Sequence, residues 1–295
     1  MQLLILYILG KMKFTFFTLG GMQLWEDLFF YQGWRIQKNC ITGKYRLLDA
    51  WDIRRESGTL LRCQNSFIRY IEIYQLLRPK EKAVLFLHGF CGTKDSFKKM
   101  ITPFESAGYT TIALNYPSTR RSFHNLVEQI EFLLKNLKDI KEINFVVYGF
   151  GGLILRKMFS KSSPWKRKFK IGRIVAIDVP NRGCGIGEAI NRSLFLKKIF
   201  GPATEIYDSD FVDTLAPFPK NADIGVITTW NPILRLISSI LPQKWKENFA
   251  SPKDSHIDNA KEILPVKYFH LNPCKNKKLV TYCINFIKNN KFKSR

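Results

Sequence analysis

The residues with the chemistry of a site gather at two glycine-marked turns. One is Leu87-His88-Gly89-Phe90-Cys91, which closes the apolar run 83–88 (AVLFLH). The other is Tyr148-Gly149-Phe150-Gly151-Gly152, which closes the run 143–148 (INFVVY) and opens a helical stretch at 153–159. Nucleophiles are scarce beside them. The Cys91 thiol is one, yet the sequence places no His or acid to lower its pKa, and a thiol near pKa ~8.5 is mostly protonated at neutral pH. Ser96 and Ser160 fall at the start and end of helical stretches, where a hydroxyl serves the backbone. The six cysteines (Cys40, Cys63, Cys91, Cys184, Cys274 and Cys283) are scattered, with no C-x-x-C pair and no zinc-like His spacing. No metal or other cofactor is expected from them.

A second chemistry lies in the charge. The 295 residues carry 47 Lys+Arg against 24 Asp+Glu, a net charge of +23. Residues 161–173 (KSSPWKRKFKIGR) set Lys161, Lys166, Arg167, Lys168, Lys170 and Arg173 around Trp165 and Phe169, and residues 267–295 hold eight basic residues and no acid. Such segments suit an anionic lipid surface or a phosphate backbone. A lysine-rich coding composition accounts for the same excess without any partner. The lipid surface is the preferred partner, since no nucleic-acid module is recognisable.

These residues need elements to position them. With 45% hydrophobic and 14% aromatic residues the chain has ample core, which excludes wholesale disorder. No run of about 18 uncharged apolar residues exists, so no membrane span is expected. Past residue 80, apolar runs alternate with amphipathic stretches. Strands are expected at 83–88, 109–116, 143–148, 172–178, 223–229 and 266–271. Helices are expected at 95–107 (Phe97, Ile101, Phe104 in line), 122–140 (Leu126, Ile130, Leu133, Leu134), 153–159 and 277–288. That alternation means βαβ units and a mostly parallel sheet, hence an α/β fold. Residues 1–80 lack it. They offer a hairpin at 33–49 turning at Thr42-Gly43, and are expected to form an N-terminal extension over a sheet edge.

The address is open at the N-terminus. Scattered thiols suit a reducing, cytoplasmic or membrane-peripheral setting. Residues 1–25 are apolar but broken by Lys11 and Lys13, and no small-residue cleavage site follows. A weak secretory signal read from Met12, or a true start at Met12 or Met22, describes this segment equally well.

Together the two turns resemble the α/β-hydrolase superfamily, and within it the bacterial lipase/esterase-like branch. Asn115-Tyr116-Pro117-Ser118, Pro180-Asn181-Arg182-Gly183 and Gly201-Pro202-Ala203 extend the likeness, which covers about residues 83–290. The resemblance implies one hydrolase domain at 81–295 with a small cap at about 183–222, where 192–200 (RSLFLKKIF) is a candidate lid helix. It also implies a serine on the strand-to-helix elbow, a His base, an acid, and an oxyanion hole from the N–H groups of Phe90 and Phe150. His88, Gly89, Gly151 and Gly152 would shape the two turns.

The nucleophile position departs from the family pattern. Where small-x-Ser-x-Gly-Gly is expected, this chain reads Val147-Tyr148-Gly149-Phe150-Gly151-Gly152. Gly149 keeps the turn, accepts its strained dihedrals and removes the chemistry. The base position falls on Tyr268, with His270 two residues on. The acid falls near Glu247 or Asp254; Asp178 and Asp223, at strand ends, are further carboxylates. The resemblance therefore implies a lipase-like protein with little or no catalysis that retains a lipid or acyl pocket. An esterase with another nucleophile and a basic membrane-surface protein are the alternatives.

Overall fold

A computed structural model describes residues 19–160, 162–182, 201–203, 209–230, 255–267 and 273–293. Six strands form one parallel sheet: β5 (Lys82–Leu87), β6 (Thr110–Ala113), β7 (Glu142–Tyr148), β8 (Lys170–Ile177), β9 (Ile224–Trp230) and β10 (Glu262–Lys267). Their order is β10-β9-β8-β7-β5-β6. The continuous apolar runs of β5 and β7 follow from cover on both faces. Ala83, Leu85 and Leu87 of β5 enter one core with Leu126 and Ile130 of α3 (Phe123–Asn136) and Leu153 of α4 (Phe150–Ser160). Val84 and Phe86 point the other way, to Phe104 of α2 (Lys98–Ser106) and Phe286 of α7 (Lys277–Asn289). Two short helices flank the same sheet region: α5 (Trp165–Lys168) and α6 (Ser209–Asp213). Among the described residues no helix is long and apolar enough to cross a membrane.

Several expected boundaries move. Helix α2 starts only at Lys98, after one tight turn at Lys94–Phe97, and α3 ends at Asn136 because Leu137 is already extended. Strand β10 starts at Glu262, four residues before the expected 266–271. Pro265 sits inside it and looks like a boundary, but β10 is an edge strand, where a missing N–H is tolerated. Of the expected cap, the described parts are 201–203 and 209–222; the candidate lid helix at 192–200 lies outside the described residues.

The N-terminal region holds more than a hairpin. Strands β1 (Trp25–Tyr31), β2 (Trp34–Asn39), β3 (Tyr45–Leu48) and β4 (Arg54–Gly58) form an antiparallel meander, and helix α1 (Leu60–Ile73) packs on it through Cys63 and Phe67 against Trp34, Ile36 and Leu47. Thr59 caps the helix by accepting from Arg62 N.

Asp27 joins this unit to the parallel sheet. Its N–H donates to Asn115 O at 3.1 Å, and its fully buried carboxylate accepts from Asn115 N and Gln37 Nε2, each at 2.6 Å. Gln129 of α3 donates to both Asp27 O and Asn115 O. Burial raises the Asp27 pKa, and Arg35 opposes the rise. Removing one partner of a buried, bonded charge set is costly. Asp27→Ala is therefore expected to lower stability by roughly 3 kcal/mol or more in urea denaturation, whereas Asp27→Asn, which keeps an acceptor, should cost about half that.

Candidate active site

Strand β7 and helix α4 meet at Gly149, whose φ of +51° reverses the chain within one residue. Gly149 N–H donates to Ile177 O of β8 at 2.9 Å, and its carbonyl accepts from Gly152 N at 3.0 Å. A Cβ built on Gly149 would meet nothing nearer than Asp178 O and Gly89 Cα, each at 3.9 Å. Space for a side chain is therefore present. At Gly151 and Gly152 the reverse holds: a Cβ would fall closer than 3.0 Å to the Leu87 carbonyl and to the Val179 side chain.

The loop after β5 faces this elbow. The rings of Phe90 and Phe150 meet edge to face at 5.6 Å, so the two turns are neighbours in space. His88 lies fully buried, stacked on Tyr116 with centroids 3.7 Å apart, and its carbonyl accepts from the Tyr116 hydroxyl. Its Nδ1 faces Gly89 O at 2.7 Å, which makes Nδ1 the donor. Burial pushes the His88 pKa down to about 4, so the ring is neutral and serves the turn. Cys91 takes φ +56°, and partial burial raises its thiol pKa, which disfavours the thiolate.

This loop is held from outside its own unit, which the sequence did not reveal. Gln23 Nε2 donates to Gly92 O at 2.6 Å, while Gln23 Oε1 accepts from Ser118 Oγ at 3.2 Å and Thr119 N at 3.0 Å. Ser118 Oγ in turn accepts from Cys91 N at 3.0 Å. Lys94 bonds through its N–H to Asn115 Oδ1 and through Nζ to Asp52 at 2.8 Å. The Asn115–Ser118 segment is thus the bridge between extension and loop.

The structure separates the two alternative carboxylates. Asp223 precedes β9, at the sheet end away from the elbow, and is tied to Lys261 and Arg173. Asp178 follows β8 directly beside the elbow. Its two oxygens accept from Thr229 N and Thr229 Oγ1, both at 2.6 Å, and burial raises its pKa to about 6 against those bonds. Asp178 is thus a carboxylate at the elbow end of the sheet, turned toward Thr229. Tyr268, His270, Glu247 and Asp254 lie outside the described residues. Among the described residues no group of His, Cys, Asp or Glu is placed to hold a metal ion.

The basic segment has other employment. Lys166 Nζ donates to Phe159 O, and Lys168 Nζ to Leu137 O and Lys135 O. Trp165 and Phe169 are buried in the core, and Trp165 Nε1 donates to Glu131. Arg167 and Lys170 remain exposed, the latter 3.7 Å from Glu142.

This strand order, with a turn after β5 and a glycine elbow after β7, is the α/β-hydrolase fold carrying an N-terminal antiparallel extension. A family model described as alpha/beta hydrolase fold matches residues 82–217. Among solved structures, a Paleococcus ferrophilus monoacylglycerol lipase is similar at 12% identity, over 71% of this chain and 95% of that one, with a TM-score of 0.47. A metagenomic carboxyl esterase is 15% identical over 65% of each chain (TM-score 0.49). Tomato methylketone synthase I, solved with 2-tridecanone, is 13% identical over 72% of this chain and 99% of that one (TM-score 0.48). No curated protein matches.

Two outcomes follow. Gly149→Ala should lose about 1 kcal/mol, from left-handed backbone strain alone, whereas Gly151→Ala and Gly152→Ala should each lose about 3 kcal/mol or express insolubly. Urea denaturation of the three variants gives the ranking. For Asp178, the folded pKa is raised, so its penalty is absent below the unfolded pKa of 3.8 and complete above about 6. Relative to Asp178→Asn, wild-type stability should fall by roughly 2 kcal/mol between those pH values. Parallel unfolding curves of equal slope would refute the assignment.

Proposed function

We propose that this protein is a lipase- or esterase-like member of the hydrolase fold that binds an acyl or lipid ligand and has lost all or nearly all acyl transfer. The reading rests on Gly149, a residue without a side chain at the position where the fold presents its nucleophile. In such a site the ligand carbonyl accepts hydrogen bonds from the N–H groups of Phe90 and Phe150, beside the partly buried ring of Phe90. Without an attacking atom the carbonyl is held and not opened. Loss of a triad nucleophile lowers turnover by on the order of 10⁴–10⁶.

An active esterase with another nucleophile, such as Cys91, is the rival reading, and chemistry distinguishes them. Purified protein is treated with a fluorophosphonate probe and assayed on p-nitrophenyl esters of short and long chain. Neither labelling nor turnover above background is expected. Turnover or labelling that disappears in Cys91→Ala would overturn the proposal.

The companion variant is Gly149→Ser, for which the backbone leaves room. Labelling of Gly149→Ser by the fluorophosphonate is expected if His270 can take the hydroxyl proton, and a Gly149→Ser/His270→Ala double variant should then lose it.

A further inference from the structure

One helix face of the N-terminal unit is built unlike the rest of the surface. Helix α1 buries Cys63 and Phe67 against the meander, and its outward side carries Leu61 and Ile68, two turns apart, 67% and 58% exposed. The last helical residue, Ile73 (57%), and the chain just beyond, with Tyr74 (51%) and Leu77 (81%), add to them. Half of the strongly exposed large apolar side chains among the described residues therefore lie in one short segment, which is clustering and not scatter.

The exposed charges around them are mainly basic. Arg69 adjoins Ile68 and Arg78 adjoins Leu77; both are exposed, and neither pairs with a carboxylate among the described residues. Glu72 is the sole exposed acid between residues 57 and 80, and Glu56 is already matched by Arg62 at 3.1 Å. A protein partner with an apolar face would not need this excess, and a second copy, at +23 per chain, would repel it. An anionic bilayer offers both halves of the complement: hydrocarbon at the headgroup boundary for the apolar side chains, and phosphate or carboxylate for the guanidinium groups. The residues that lead into this unit have the same character, since the only charges in 1–18 are Lys11 and Lys13.

We propose that the outward face of α1, continued through residues 74–78, docks the protein on an anionic membrane surface. Leu61, Ile68, Ile73 and Leu77 enter the headgroup boundary, and Arg69 and Arg78 bind lipid anions beside them. This surface is distinct from residues 161–173, whose aromatics are buried, and it stands whether or not the Gly149 site holds an acyl ligand.

The test is co-sedimentation of the full-length protein with vesicles of phosphatidylcholine alone or mixed with phosphatidylserine, across a salt series. Binding to the mixed vesicles that weakens with salt is expected. Arg69→Gln/Arg78→Gln should lower that affinity about 30-fold. Leu61→Ser/Ile68→Ser/Leu77→Ser should abolish most of it, with circular dichroism confirming that the fold is kept. Arg167→Gln/Lys170→Gln should have little effect. No binding by the wild type, or equal losses for the Arg167 and Arg69 pairs, would overturn the proposal. So would an apolar variant that binds vesicles normally, including one that only dissolves a wild-type dimer seen by light scattering.

Discussion

At Gly151 and Gly152, helix α4 runs so close to the sheet that neither position admits a side chain. The contact with Leu87 and Val179 sets the helix axis over the ends of β5 and β8. With the axis fixed there, the chain leaving β7 has one residue in which to turn, and Gly149 takes the left-handed conformation. The same placement brings Phe150 against Phe90, so the elbow and the facing loop meet. Two turns farther along α4, Arg156 donates to Ala216 O, Leu215 O and Asn181 O, which holds the described part of the cap region to the same helix. One close approach therefore orients the turn, its neighbour and the segment above them.

The facing loop depends on a different support. Its residues make a tight turn with Cys91 in a left-handed conformation, a state that persists only when surroundings over-determine it. Those surroundings come from the N-terminal unit: Gln23 on Gly92, Ser118 and Thr119, and Asp52 on Lys94. Asp27 and Asn115 lock that unit to the chain just past β6. The extension is thus part of the frame of the site, although none of its described residues supplies a group to the elbow itself.

What the sequence made legible was periodic or apolar: the buried strands, the amphipathic helices and both glycine turns, with Gly149 at the elbow. Of the N-terminal meander only the hairpin at 33–49 was legible, because α1 covers one face with apolar residues while the other face is lined by buried polar ones. Asp27, Arg35, Gln37 and Arg46 occupy positions where alternation would show apolar side chains, and they satisfy one another across strands. The choice between Asp178 and Asp223 was legible in the strand ends: in a parallel sheet Asp178, at the end of 172–178, lies on the elbow side, and Asp223, at the start of 223–229, on the opposite side. Lys166 and Lys168 read as surface charge since their carbonyl partners are supplied by other elements of the fold. His270, Tyr268, Glu247 and Asp254 fall outside the described residues, so the base and the first-choice acids keep the standing the sequence alone gave them.

The excess charge becomes intelligible once helix ends are considered. With 24 acids for 47 bases, about half of the cations cannot find a carboxylate of their own, and the negative ends of helices are the next best partners. Lys80 donates to Glu105 O at the end of α2, Lys168 to Lys135 O and Leu137 O at the end of α3, and Lys166 to Phe159 O at the end of α4. Arg156 reaches Val212 O and Leu215 O at α6, and Arg173 reaches Ile287 O and Lys288 O at α7. After α1 the pattern breaks: the carbonyls of Leu77 and Arg78 accept from Gln32, a neutral amide. These cations are thus internal fittings of the fold, whereas Arg69 and Arg78 have neither a carboxylate nor a helix end among the described residues and adjoin exposed apolar side chains. Net charge is then a poor guide to a binding face, and cations set beside exposed apolar side chains are a better one.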